Sequence, residues 1–118
     1  MQSRPWPSEW LRGVLALAVM RVLVAGPTYG YAIGVELEAQ GFGVIKGGTL
    51  YPLLSRLEEA GNVTIEWRAG DGGPARKYFA LTSKGHEEFA RAAREWSEFA
   101  QLTTTFTSTC PAASAATA

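Results

Sequence analysis

The side chains in this chain with the type and spacing to do chemistry are cations, phenols and hydroxyls, and the chemistry they suit is capture of a polyanion. Lys46, Gly48, Thr49, Tyr51, Ser55 and Arg56 share one short stretch, and Arg76, Lys77 and Tyr78 share a second. Lys46 precedes a helical pattern, where free backbone N–H groups also favour a phosphate. Arg76 and Lys77 follow a Gly-rich turn. These cations suit contacts to a phosphate backbone, while Thr49, Tyr51, Ser55 and Arg56 are candidates to read base edges. Any one of them alone is equally ordinary solvated surface; their shared placement favours the functional reading.

Other chemistries are poorly supplied. His86 is the sole histidine, and its setting after Thr82-Ser83-Lys84-Gly85 suits a helix surface better than a general base. No Cys/His cluster has the spacing of a zinc site. Glu58-Glu59 and Glu87-Glu88 are adjacent in sequence, so on a helix each pair diverges by about 100° and makes no carboxylate dyad. Gly70, Gly72 and Gly73 sit between two strand patterns, not between a strand and a helix as a phosphate-binding loop would. Neither an enzyme nor a cofactor is expected.

The positioning elements follow from periodicity. Pro5 and Pro7 lead into Ser8, a candidate cap with Glu9 in the first turn. A helix follows that is apolar on almost every side, with Leu11, Val14, Leu15, Ala18 and Val22 in one stripe and Leu17, Met20 and Val24 widening it. Gly26-Pro27 stops it. Thr28 is a candidate cap for a second helix to about Gln40, with Ala32, Ile33 and Leu37 inward and Val35 on a flank.

Leu50, Leu53, Leu54 and Leu57 recur at i, i+3, i+4 and i+7, one face of a third helix. Gly48, Pro52, Ser55 and Glu59 form the opposite face. Pro52 is tolerated only near a helix start, which places that start close to Lys46–Thr49. Val63, Ile65 and Trp67 then alternate with Thr64, Glu66 and Arg68 as in a half-buried strand. Residues 69–74 turn the chain, and 76–81 return with Lys77, Phe79 and Leu81 on one side and Tyr78 on the other. A last helix is expected from about Ser83 to Leu102 or beyond. Thr82 and Ser83 are both possible caps. Phe89, Ala92, Trp96 and Phe99, then Thr103 and Phe106, make a coiled-coil-like seam.

The expected fold is mainly α with a small two-stranded β wing: a winged helix-turn-helix over residues 8–82, a dimerisation helix over 83–106, and a disordered tail over 107–118. The hairpin forms the wing, and the third helix offers its polar face to a major groove.

The chain has 118 residues and no net formal charge. The balance is uneven: residues 44–84 carry a net charge of plus two and 85–118 minus two. That limits non-specific affinity for polyanions without excluding binding. One cysteine, Cys110, allows no intrachain disulfide and fits a reducing compartment. The apolar stretch Val14–Ala25 is short and interrupted by Arg21, so no membrane span is expected, and a cytoplasmic protein is.

Three stretches carry a resemblance. They are Gly26-Pro27-Thr28-Tyr29-Gly30-Tyr31-Ala32-Ile33, Gly48-Thr49-Leu50-Tyr51-Pro52-Leu53-Leu54-Ser55-Arg56-Leu57-Glu58, and Gly72-Gly73-Pro74-Ala75-Arg76-Lys77-Tyr78-Phe79-Ala80-Leu81-Thr82. With the flanking helices, residues 8–106 resemble the PadR family of bacterial transcriptional regulators, in its short form with a single C-terminal dimerisation helix. The resemblance implies a dimeric repressor released from DNA by a small aromatic or cationic compound. It maps the family's TLYP segment onto Thr49–Pro52 and its basic wing onto Arg76, Lys77 and Tyr78. Pro74 and Ala75 stand where many members carry further wing arginines, and Lys46 stands where many carry a small polar residue.

Double-stranded DNA with a pseudo-palindromic site and a second copy of the chain are the expected partners. Phe89, Ala92, Trp96, Phe99 and Phe106 are the expected dimer residues, since exposed together they would form an association patch. Trp96 has two readings: a packed interface residue, or a stacking platform for a planar aromatic effector completed by Leu11 and Leu15, with Glu95 and Glu98 favouring a cation. Tyr29 and Tyr31 are expected to pack locally. Tyr78 is open between DNA and the helices. The competing reading is a winged-helix module for protein or small molecules without specific DNA recognition, favoured by the zero net charge.

Overall fold

A computed structural model describes residues 5–70 and 72–109. Four helices and three short strands follow in the order α1 (Ser8–Val24), β1 (Thr28–Tyr29), α2 (Gly30–Gln40), α3 (Gly47–Glu59), β2 (Val63–Arg68), β3 (Arg76–Leu81) and α4 (Ser83–Ser108). The expected tail from Cys110 onward lies outside the described residues, as does Asp71 in the turn.

The helix ends follow local chemistry. Gly41 ends α2 with φ 106°. Its N–H bonds to Glu38 O and that of Phe42 to Leu37 O, both at 3.0 Å. Gly61 at φ 82° repeats the pattern after α3, with Asn62 N–H on Leu57 O at 3.0 Å. In both, a left-handed residue lets the chain reverse and satisfy the last carbonyls, which favours glycine. α3 begins at Gly47, so Pro52 lies in its second turn. There the proline removes the bond that would reach Gly48 O, and its ring crowds that carbonyl.

Leu50, Leu53, Leu54 and Leu57 are all buried, as their spacing requires. They meet Val19, Leu23, Ile33 and Leu37 from α1 and α2, with Val63 and Phe79 from the sheet closing the core. Fully burying such a side chain contributes about 1.5–3 kcal/mol, so this cluster is what holds α3 in place.

Several local expectations are corrected. Thr28 does not cap α2; it lies in β1, which pairs antiparallel with β3 through Thr28↔Phe79 and Tyr29↔Tyr78. The sheet therefore has three strands, ordered β1-β3-β2, and the expected hairpin forms two of them. Ser8 is the first helical residue and not the cap, since Pro7 precedes it at φ −55° and ψ 135°. Val19 and Leu23 lie deeper in α1 than Val22 or Val24. Trp67 is 67 % exposed, because it stands on the hairpin beyond the edge of the core. α4 continues beyond Leu102, as the sequence allows, through the three threonines 103–105 to Ser108, and so takes in two residues expected in the tail. Hydroxyls on this segment bond back to carbonyls within the helix, as Thr103 does to Phe99 O at 2.9 Å and Thr107 to Thr103 O at 2.7 Å. No described helix is long and apolar enough to cross a membrane.

Candidate nucleic-acid interface

The leucine face of α3 is locked inward, which turns Gly48, Thr49, Tyr51, Ser55 and Arg56 outward. Lys46 is the extended residue before the helix, and no side chain caps the first turn of α3. No Cβ at Gly48 would meet any atom within 4 Å, so a backbone can approach there.

Tyr51 is tied to α2. A Cβ at Gly30 would stand 2.5 Å from the Tyr51 hydroxyl oxygen and 2.6 Å from its ring, so the phenol lies against the first residue of α2. Across from it, β3 presents Arg76 and Lys77. Tyr29, Gly30, Tyr31, Tyr51, Arg76 and Lys77 thus border one cleft of about 430 Å³, with Phe79 at its base. The start of α2 opens here: Tyr29 is its cap residue, no side chain caps it, and no acidic residue sits in its first turn. The three stretches quoted above, far apart in sequence, each contribute to this cleft.

On the sheet, the register Tyr29↔Tyr78, Glu66↔Tyr78 and Arg68↔Arg76 aligns one face. The Tyr29 and Tyr78 rings lie 5.4 Å apart. The Arg76 guanidinium lies 4.6 Å from the Tyr29 ring centre and that of Arg68 lies 4.4 Å from Tyr78. Stacking holds a guanidinium by its flat face and leaves its N–H edge free for an anion. Arg68 also pairs with Glu66, which neutralises part of the wing.

Of the expected DNA residues, the structure places Tyr51, Arg76 and Lys77 together and puts Tyr78 in the aromatic stack. Lys46, Gly48, Thr49, Ser55 and Arg56 are exposed along α3 outside this cleft. Tyr29 packs locally as expected, but Tyr31 is 73 % exposed at the cleft mouth. Tyr31 and Arg68 were not legible as site residues: neither exposure nor cross-strand stacking is written in local periodicity.

The effector and dimer residues divide differently. A cleft of about 740 Å³ between α1 and α4 is bordered by Trp6, Trp10, Leu11, Phe42, Trp96 and Phe99 among others. Leu15, expected there, lies in the core at 4 % exposure, because it faces the other helices while Leu11, Gly13 and Val14 border the cleft. Trp96 lies 5.8 Å from Phe99 between ring centres, and a Cβ at Gly13 would touch it at 4.0 Å. Glu95 is bonded to Arg91 at 2.7 Å, so Glu9 is the carboxylate on the cleft wall. Phe89 packs against the core of its own chain, and Ala92 is half-buried. Phe99, Phe106 and the unforeseen Leu102 remain exposed at 58, 77 and 65 %.

A helix anchored by its leucine face with its polar face outward, beside a hairpin wing and a basic cleft, is the architecture of a winged helix-turn-helix DNA-binding protein. The family model of the PadR-like transcriptional regulators matches residues 19–91, and the chain belongs to that family. A PadR family transcriptional regulator from Eggerthella lenta superposes with a TM-score of 0.77 at 32% identity, over 86% of this chain and 88% of that one. A Streptococcus transcriptional regulator gives 0.74 at 33% identity over 83% and 96%. A PadR-like regulator from Bacillus cereus gives 0.77 at 26% identity over 86% and 99%. The protein is a DNA-binding transcriptional regulator and not an enzyme.

Proposed function

We propose that the chain is a sequence-specific repressor acting as a homodimer on a pseudo-palindromic operator. The carrying observation is the convergence of Tyr31, Tyr51, Arg76 and Lys77 on the uncapped start of α2, beside the exposed face of α3. In this reading the cleft grips the phosphate backbone, while Thr49, Ser55 and Arg56 read base edges in the major groove and Lys46 adds a phosphate contact at the start of α3. The dimer forms through residues 83–106 of α4, with Phe99, Leu102 and Phe106 at its centre. Repression is the role the family resemblance implies, in the cytoplasm.

The α1–α4 cleft is the effector site in this reading. Trp96 stacks a planar aromatic compound against Phe99, with Leu11 on the opposite wall, and Glu9 favours a cationic one. The test is fluorescence anisotropy against the DNA upstream of the protein's own gene and a scrambled duplex at two salt concentrations. Tight, salt-steep binding to the upstream DNA alone is the expected result. Absence of binding at low salt supports instead a winged-helix module for another partner. A planar dye whose binding is unchanged by Trp96→Ala removes the effector site.

A further inference from the structure

The first turn of α4 is fastened to the end of α3 by three consecutive carbonyls. Ala60 O accepts from the Lys84 ammonium. Gly61 O accepts from the Thr82 hydroxyl at 2.7 Å. Asn62 O accepts from the Thr82 N–H at 3.0 Å. Thr82 also caps α4, its hydroxyl oxygen accepting from the Gly85 N–H at 2.9 Å. Ala60 is the residue that closes α3, so the Lys84 ammonium sits where the helix dipole is negative. Gly85 is buried, and a Cβ there would lie 2.0 Å from Asn62 O, so the two backbones approach more closely than any other residue type permits.

We propose that Thr82 and Lys84 are positioning residues that lock the direction of α4 to that of α3, and so set the separation of the two recognition helices. They touch no DNA themselves. The proposal rests on the α4-mediated dimer proposed above. Its physical basis is leverage. Phe89 and Trp96 rest the middle of α4 on the core and on Gly13 of α1, while the joint fixes its base. Phe99 and Phe106 lie roughly 25–36 Å along the helix from Thr82 at 1.5 Å per residue, so a tilt of about 10° that slides α4 over α1 moves them by roughly 5 Å. That exceeds the rise of one base pair, about 3.4 Å. A loosened joint therefore leaves each half of the dimer able to bind but no longer holds the halves at one spacing.

The test uses the full chain and a duplex that the wild-type protein selects from a randomised pool. Thr82→Val and Lys84→Met keep side-chain volume and remove the bonding groups; Gly85→Ala is avoided because it drives a methyl into backbone. Affinity is measured for the selected duplex, for an isolated half-site, and for duplexes with one base pair inserted at the centre. Sedimentation and thermal melting are run alongside. In the double variant, self-association and half-site affinity are expected to stay within about twofold, while full-site affinity falls about tenfold and the insertion penalty shrinks. Equal losses on half-site and full site, or an unchanged insertion penalty, overturn the proposal. A wild-type protein that binds no duplex, or that sediments as a monomer, overturns the dimeric-regulator reading and this one together, and the wild-type titration shows it before any variant is read.

Discussion

The α2–α3–β3 face and the distal half of α4 both expose large aromatic side chains, yet their surroundings differ. On the first face, Tyr51 lies on Gly30, Arg76 stacks on Tyr29 and Arg68 on Tyr78. The phenols alternate with cations, and the helix start beside them carries no acid. On α4, Phe99, Leu102 and Phe106 have no cation within a helical turn; Glu95 and Glu98 are the charged groups nearby, and Trp96 is the ring beside Phe99. Exposure of an aromatic therefore says little until its neighbours are named. Aromatic groups mixed with cations suit a polyanion, whereas an apolar stripe without cations suits another apolar stripe, which a second copy of α4 would supply in the dimer proposed above.

The largest effect is expected on α4. Leu102→Glu with Phe106→Glu should weaken self-association by about 100-fold or more, roughly 3 kcal/mol, because central apolar anchors carry most of an interface's energy. Sedimentation velocity over a concentration series measures this, and circular dichroism should show the helix intact. If self-association is unchanged, the stripe faces something else.

On the opposite face, Arg76→Ala and Lys77→Ala should each weaken DNA binding uniformly across sequences and lower the salt slope by about one. Titrations at four salt concentrations read both quantities. A loss confined to one sequence would make the residue a base reader instead.

A finer probe is Gly30→Ala. The added methyl would collide with the Tyr51 ring, which is the movable partner. The fold should hold, since alanine is the better helix former, while DNA affinity falls as Tyr51 swings out of the cleft. Unchanged affinity with a normal melting curve would remove Tyr51 from the interface.

The smallest effect lies on the outer face of α4. The Arg91 guanidinium, bonded to Glu88 at 2.5 Å, holds the Glu88 carboxyl below the usual carboxylate range; desolvation opposes this, and the charges of Arg91 and Lys84 add smaller downward pulls. A carboxylate with a lowered folded pKa adds stability above its unfolded pKa of about 4.3, and that stability is lost as pH falls through the folded value. The melting temperature of Glu88→Gln should therefore converge on wild type between about pH 6 and pH 3, with a small difference at the upper end because the pair is exposed. Parallel curves across that range would remove the pair as a contributor.

Local features are legible in the order of residues alone: where helices start and stop, which face of each is apolar, and where the period changes from helix to strand. The four leucines of α3, the glycines at 41 and 61 and the alternation after Val63 act through near neighbours, so periodicity and turn chemistry expose them. Features that depend on the approach of distant segments arise only from packing. A two-residue strand such as Thr28–Tyr29 has no period to read, and it exists because β3 offers unpaired backbone groups beside it. Leu15 and Leu11 share a stripe, yet depth along α1 sends one to the core and leaves the other at the cleft. Phe89 and Phe99 share a seam, yet only Phe89 meets its own core, because α4 runs past the end of the domain it packs against. The cleft that joins Tyr31, Tyr51 and Arg76, and the joint that ties Thr82 and Lys84 to α3, are likewise set by how the core leucines and valines pack, which fixes the distances between elements that no single stretch of sequence contains.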